Sequence, residues 1–352
     1  MSDIVPEVNE TNSRTPEILR SIGAPIVGVI IGLMIGALLI MIAGANPVEA
    51  YKTMLVGAFG GKRQFTETIL QTSPLLLIGL GLTAAFRARV WNIGAEGQYY
   101  MGALFGGVIA LFYPHWPRPL LLITMLLAGI LGGALWGIIP ALLKTRKGMN
   151  EIISTLMLNY IAILFMEYLT RGPLQDPDGY LPTSAKFAAA TRLPLVLNSR
   201  VHSGFVIALV LVPIIYALLW STPLGFRLRA VGSKASVARY AGIRVEYVII
   251  FVLALSGGIA GLAGIIEVGN VFYRLKGSIS LGYGFSGILV ALLGRLNPFG
   301  VAIAALFFAA LTIGAEAMHV VYKLPVALAD AIQAIIVLSV LAVDAMAHWR
   351  KN

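Results

Sequence analysis

The sequence predicts an all-α, polytopic membrane protein of about ten transmembrane helices, with both termini on the cytoplasmic side. Three observations carry that reading. The 352 residues are 58% hydrophobic and only 12% charged, with a mean hydropathy of +0.86, far outside soluble globular usage. Apolar runs of membrane-crossing length recur along the whole chain. Basic residues collect at the ends of alternate runs, as the positive-inside rule requires. The net charge of +10 therefore reads as topology determinants and lipid-headgroup contacts, and no nucleic-acid partner is expected. There are no cysteines, which excludes disulfides, thiolate catalysis and cysteine metal sites. The four histidines, His115, His202, His319 and His348, have no metal-ligand spacing, so no metal site is expected.

Residues 1–20 are polar and lack apolar periodicity, so a disordered cytoplasmic extension is expected there. The transmembrane domain follows over 21–346, and 347–352 form a cytoplasmic tail. The first run, 22–42, ends in Ala43, Gly44 and Ala45, which superficially resembles a signal-peptidase site. It is too long for a signal sequence and reads as an uncleaved span. Residues 46–66 would lie outside and include an interfacial helix. Further spans are expected near 67–86, 94–113, 120–143, 151–169, 203–220, 248–268, 282–293, 298–319 and 326–345. With the N-terminus inside, Arg87 and Arg89, then Lys144, Arg146 and Lys147, then Arg295, then Arg350 and Lys351 all fall on the cytoplasmic side. The longest external segment, 171–202, mixes Asp176 and Asp178 with Lys186, Arg192 and Arg200, and is either a landing surface for a soluble partner or a connector.

The 282–293 run is too short for a straight crossing. A broken or re-entrant helix is tolerated in lipid only when buried against protein or lining a cavity. Its exit turn, Arg295-Leu296-Asn297-Pro298, weakly echoes Arg89-Val90-Trp91-Asn92.

Residues 88–100 read ARVWNIGAEGQYY and bring Asn92, Glu96 and Gln98 to the entry of a span. Asn92 can cap a helix and Glu96 suits a helix N-terminus, while Gly94 and Gly97 permit close packing. An acid and two amides at a membrane entry still need partners or water, because an ionisable residue at the bilayer centre costs about 2.5–3.5 kcal/mol. They are expected to face the protein interior. On the next span but one, Glu151, Thr155 and Asn159 recur every four residues and share one helical face. That face either lines a pathway or hydrogen-bonds between helices. Asn92, Glu96, Gln98, Glu151, Thr155 and Asn159 are thus the candidate pathway residues. The glycines at 129, 132 and 133 and at 257, 258, 261 and 264 read as packing surfaces.

Residues 221–247, STPLGFRLRAVGSKASVARYAGIRVEY, are too charged to cross a bilayer and form a cytoplasmic loop. A short helix is expected from Ser233 or Lys234 to Tyr240, with Gly225, Gly232 and Gly242 marking turns and close approaches. The arginines either orient the chain or dock a partner. No G-x-x-x-x-G-K-[ST] string occurs, so ATP is not cradled here by that route. No nucleophile, base and acid constellation appears, so the chain is not expected to be an enzyme.

Gly225, Phe226, Arg227, Arg229, Ala230, Gly232, Ala238, Arg239, Ala241, Gly242 and Ile243, together with the run from Trp91 to Gln98, resemble the permease subunits of ATP-binding-cassette (ABC) importers. The similarity is to the ribose and nucleoside branch, and more distantly to branched-chain amino-acid permeases; it covers about 22–345, and the Trp91–Gln98 string looks like the nucleoside type. The resemblance implies import of a nucleoside across a bacterial inner membrane. It implies that 221–247 carries the coupling helix, with Gly225, Arg227, Arg229, Gly232, Ala238, Arg239 and Gly242 engaging a separate ABC ATPase subunit. ATP and Mg would bind that partner, and no cofactor this chain. An external substrate-binding protein, a second and different permease chain, and membrane lipid complete the expected partners. Ribose or another simple sugar is the alternative solute. A proton-coupled secondary transporter using Glu96, Glu151 or Glu267, or an integral-membrane enzyme, are the alternatives from other classes.

Overall fold

A computed structural model describes residues 14–196 and 199–349. Among the described residues there are thirteen α-helices and no strand, only two isolated bridges, Thr183 with Lys276 and Leu195 with His202. Helix α1 (Arg14–Ile42) begins inside the extension expected over 1–20; residues 1–13 and the last three residues of the expected tail lie outside the described residues. Among the described residues six helices are long and apolar enough to cross a membrane, or seven if α1 and α2 (Pro47–Phe59), bent by 112° to one another, count as one broken span. A helix, α2, stands within 46–66, where an interfacial helix is expected.

The chain divides into two compact units. The first comprises residues up to 53 and from 315 onward. In it α1 runs antiparallel to α13 (Val326–Trp349) along a glycine ladder that sequence inspection overlooked. A Cβ on Gly28 would lie 2.4 Å from the Val340 backbone, and one on Gly32 2.5 Å from that of Ile336. The Tyr51 hydroxyl donates to the Leu33 carbonyl at 2.7 Å, fastening the start of α2 to α1.

The second unit, 54–314, is built on α3 (Lys62–Arg87), α4 (Ala95–Phe112), α5 (Arg118–Lys147) and α10 (Val245–Glu267), the last extended by a wider turn through Phe272. Helices apolar on every side belong in the middle of a bundle. Accordingly α3 and α10 are 83% and 72% buried, whereas α5, α6 (Glu151–Arg171) and α7 (Gly204–Ser221) are 28% buried and show apolar flanks such as Ile123, Leu127 and Leu131. The glycines read as packing surfaces are where α4, α5 and α10 meet. A Cβ on Gly261 would stand 2.3 Å from the Gly129 carbonyl oxygen, and one on Gly102 2.1 Å from the Gly261 Cα.

Helix α3 and the short α11 (Tyr283–Leu293) end in the same way. The amides of Val90 and Leu296 reach back to the carbonyls of Ala85 and Ala291, with Arg89 (φ 53°) and Arg295 (φ 54°) in the left-handed conformation that usually falls to glycine. The weak echo between these turns is therefore a shared helix termination. From Arg295 the chain enters α12 (Pro298–Tyr322).

Residues 172–196 and 199–203 are mostly irregular and are strapped to the far end of α10. The amides of Ser184 and Phe187 donate to the carbonyls of Leu275 and Tyr273 at 2.9 and 2.8 Å, and the Leu193 amide donates to Asn270 Oδ1 at 2.8 Å. His202 sits in this strap at 2% exposure, and burial pushes its imidazole down to about 4. A histidine held neutral by burial stabilises the fold fully above its unfolded value near 6.5 and loses that contribution as pH falls toward the folded value. Between pH 7 and pH 5 the chain should lose about 2 kcal/mol of stability through this group. Thermal unfolding in detergent at the two pH values checks this, and His202→Phe should flatten the difference.

Candidate translocation site and coupling surface

The polar run after α3 is a turn followed by irregular chain over residues 90–93 before α4 begins. Asn92 is fully buried and uses its whole side chain: Nδ2 donates to Gln98 Oε1 at 2.8 Å and to Ser256 Oγ at 3.0 Å, while Oδ1 accepts from the Gly94 amide at 3.0 Å and from Gln98 Nε2 at 3.1 Å. Asn159 Oδ1 accepts from the Gly97 amide, and its Nδ2 donates to the Ile93 carbonyl, both at 2.8 Å. Thr155 Oγ1 accepts from the Ile93 amide at 3.2 Å. Two residues of the predicted α6 face thus clamp the 92–97 segment from the side. The third does not join them: Glu151, in the first turn of α6, pairs with Lys144 at the end of α5.

Glu96 turns the other way. Its Oε2 accepts the Gly284 amide at 2.6 Å, and the Ser280 hydroxyl also bonds the carboxylate. Gly284 is required there, since a Cβ on it would lie 2.3 Å from the Glu96 backbone nitrogen. Around this junction the Tyr99 hydroxyl donates to the Ile279 carbonyl at 3.2 Å and the Tyr283 hydroxyl to Gln71 Oε1 at 2.9 Å. The site therefore joins the first turn of α4 to the first turn of α11, with α6 and α10 as its frame.

Asn159→Ala deletes two bonds to buried backbone, each worth about 1–3 kcal/mol when a partner is left unsatisfied. A drop of roughly 2–5 kcal/mol in unfolding stability is expected, against a smaller one for Thr155→Ala, read from the same thermal-unfolding experiment.

The 221–247 segment forms two helices. α8 (Pro223–Ser233) starts on Thr222, whose Oγ1 accepts from the Gly225 amide at 3.0 Å, with proline next in its favoured first position. α9 (Ala235–Tyr240) is the short helix expected from the sequence. Gly225 and Gly232 are close approaches: a Cβ would stand 2.1 Å from the Leu218 carbonyl oxygen at the first and 2.0 Å from that of Arg87 at the second. Gly242, at φ +81°, makes the turn into α10. Ala238 is buried, anchoring α9.

The arginines divide by role. Arg229 donates to the Leu219 carbonyl and so completes the end of α7. Arg87, which stacks over Trp220 and donates from Nε to the Leu296 carbonyl at 3.0 Å, ties this region to the turn after α11. Arg239 pairs with Glu246 on the surface, and Arg227 lines a groove of about 730 Å³ with Arg244, Tyr247 and Phe251. Beside these charges α9 presents Val237 at 56% and Tyr240 at 93% exposure. α9 thus leaves an apolar and an aromatic side chain exposed beside basic residues, the composition common at protein interfaces.

A protein-family model described as the permease component of the branched-chain amino-acid transport system matches residues 64–341. The chain belongs to this permease family. It is 36% identical over 328 residues to the guanosine ABC transporter permease protein NupP of Bacillus subtilis, covering 90% of this chain and 92% of that one. It is 32% identical to the nucleoside ABC transporter permease protein NupB of Lactococcus lactis, over 87% of this chain and 86% of that one. To the glucose ABC transporter permease protein TsgB13 of Haloferax volcanii it is 35% identical, over 96% and 91%. No solved structure matches the chain. The protein is a multi-pass ABC transporter permease subunit, which sets aside the proton-coupled and membrane-enzyme alternatives. In this permease the candidate site residues fall at two places: the α4–α11 junction with its α6 and α10 frame, and the α8–α9 surface.

Sequence reasoning found the amides and acids of the first place but missed Gly284, Ser280, Tyr99, Tyr283 and Ser256. The serines and tyrosines have no spacing that marks them, and Gly284 lies 188 residues from the carboxylate it contacts.

Proposed function

We propose that this permease subunit forms half of the import pathway for a nucleoside in a bacterial inner membrane, crossing about ten times with both termini cytoplasmic. The observation that carries the solute is the pairing of the Trp91–Gln98 string with relatives named for guanosine and nucleosides at 36% and 32% identity. Asn92, Gln98, Thr155 and Asn159 frame the pathway, Glu96 stands at its wall, and Glu151 with Lys144 marks its cytoplasmic mouth. ATP and Mg bind a partner ABC ATPase, which docks on α8 and α9 through Gly225, Arg227, Arg229, Gly232, Ala238, Arg239 and Gly242; an external binding protein delivers the solute. The second permease is a different chain. Relatives with one solute name occur in pairs within one organism, NupP with NupQ in Bacillus subtilis and TsgB13 with TsgC13 in Haloferax volcanii.

The glucose name of TsgB13 favours a second reading, a simple-sugar permease. Uptake of labelled uridine by the complete transporter in proteoliposomes, with guanosine, ribose and glucose as competitors, separates the two. Competition by guanosine alone supports the nucleoside assignment, and competition by glucose or ribose alone replaces it.

A further inference from the structure

Resting on the import reading just given, we propose that the solute-facing wall of this chain is the non-helical segment 278–282 with the first turn of α11. Ser278, Phe285 and Ser286 there would meet a neutral, hydroxyl-bearing solute, while Ser280 is held by Glu96 and the Gly282 and Tyr283 amides.

The depth of that segment follows from helix lengths. From Val245 to Phe272 the helical path is 28 residues, about 42 Å at 1.5 Å per residue, which exceeds a hydrocarbon core of about 30 Å. It starts beside Arg244 at the basic end and finishes at the opposite surface, where the bridge between Thr183 and Lys276 turns the chain back. α11 is 11 residues, about 16 Å long, and returns to the basic end, where Leu296 receives the Arg87 guanidinium. Its first turn therefore stands near the bilayer midplane. The Glu96 to Gly284 contact gives the same depth, because the neighbouring Asn92 bonds Ser256, about three turns into α10.

At that depth the segment is uncovered. Leu281 is 75% and Phe285 43% exposed, Ser278 is exposed, and Ser280, Gly282 and Ser286 are partly so. Irregular backbone in the hydrocarbon zone is tolerated only against protein or water. Among the described residues of its own compact unit none covers these side chains, and serines are a poor surface for lipid, in contrast to the leucines and isoleucines on the outer flank of α5. A water-filled passage satisfies the exposed Ser278 and the partly exposed Ser286 hydroxyls, which a lipid surface would not. Phe285 adds an exposed aromatic ring beside them, which suits a solute carrying both hydroxyls and an apolar face.

The absence of cysteine makes the test direct. Single replacements Ser278→Cys and Phe285→Cys, with Ser286→Cys as the milder alternative should either perturb assembly, are introduced into the complete transporter in membrane vesicles. A small, cationic, membrane-impermeant methanethiosulfonate is the probe. Leu127→Cys and Leu164→Cys, on the exposed apolar flanks of α5 and α6, are the lipid controls. Because the hydrated thiolate is the reactive form, labelling at 278 and 285 should exceed the controls by about tenfold or more. Saturating uridine should slow it, and labelled transporter should lose uptake. Labelling no faster than in the controls would overturn the proposal and assign the face to the second permease. Labelling that uridine does not slow and that leaves uptake intact would overturn it as well. Uptake by the unmodified transporter is measured alongside; if neither nucleosides nor sugars enter, the import reading fails, while the labelling ratio still reports whether this wall is wet.

Discussion

Gly261→Leu is expected to abolish accumulation of folded protein. At this position α10 touches two backbones at once. A Cβ would stand 2.3 Å from the Gly129 carbonyl oxygen and 2.9 Å from the Gly133 Cα, and the Gly102 Cβ position already abuts the Gly261 Cα at 2.1 Å. None of these atoms is the end of a flexible side chain that could swing aside. Overpacking a well-filled core by a few methylenes typically costs 1–3 kcal/mol, and separating three helices should reach or exceed the top of that range. Detergent gel filtration of a fluorescent fusion should show loss of the monodisperse peak. Gly258→Ala is the contrast, because its Cβ would meet Ile130 Cγ2 at 3.2 Å, where a side chain can yield, and most of the peak should survive.

The second large effect concerns coupling. Replacing Val237 and Tyr240 together by aspartate should cut ATP-driven uptake by at least tenfold while leaving the amount of folded permease in the membrane unchanged. Tyr240 is 93% and Val237 56% exposed, so replacing them takes little from this chain's own packing. Truncating one aromatic anchor at a protein interface commonly costs 2 kcal/mol or more, so two charged replacements should weaken ATPase docking strongly. Two measurements separate this from misfolding: membrane-inserted protein by quantitative blotting, and ATPase retained on purification. Gly225→Val should also lower uptake, but by another route, since its Cβ would press on the end of α7 and tilt α8. That variant should lose stability as well as activity.

The parts legible in the sequence are those set by local physics. Hydropathy and the position of lysine and arginine mark the long helices, and the alanines around Ala238 mark α9. The buried character of Asn92, Gln98, Thr155 and Asn159 follows from the cost of unpaired polar groups in a membrane. α8 was readable but unread: Thr222 followed by Pro223 is a helix start, and the density of arginine hid it within a loop. The spacing of Glu151, Thr155 and Asn159 gave the right helix face but not the fate of its first member, which Lys144 captures from the neighbouring helix. What no local pattern reveals is the meeting of α4 with α11. A carboxylate near residue 96 needs a donor, yet nothing in the spacing says that the donor is the amide of Gly284. The same holds for the Gly28 and Gly32 ladder, where the helix ends lie far apart in sequence and only the antiparallel return of α13 gives the glycines their purpose.

The central claim is that α8 and α9 transmit the work of a separate ATPase to the membrane helices. A single cysteine at Ser236, on the short exposed α9, tests it most directly in a chain with no other thiol. The tagged permease would be treated in native membranes with a short heterobifunctional cross-linker, reactive to thiol and amine, and the adduct identified by mass spectrometry. The account predicts one dominant adduct to a protein carrying a Walker-A motif, reduced when ATP analogues change the ATPase conformation. An intact, active complex that yields no such adduct from Ser236→Cys, while cysteines elsewhere on the basic end capture the ATPase, would contradict it.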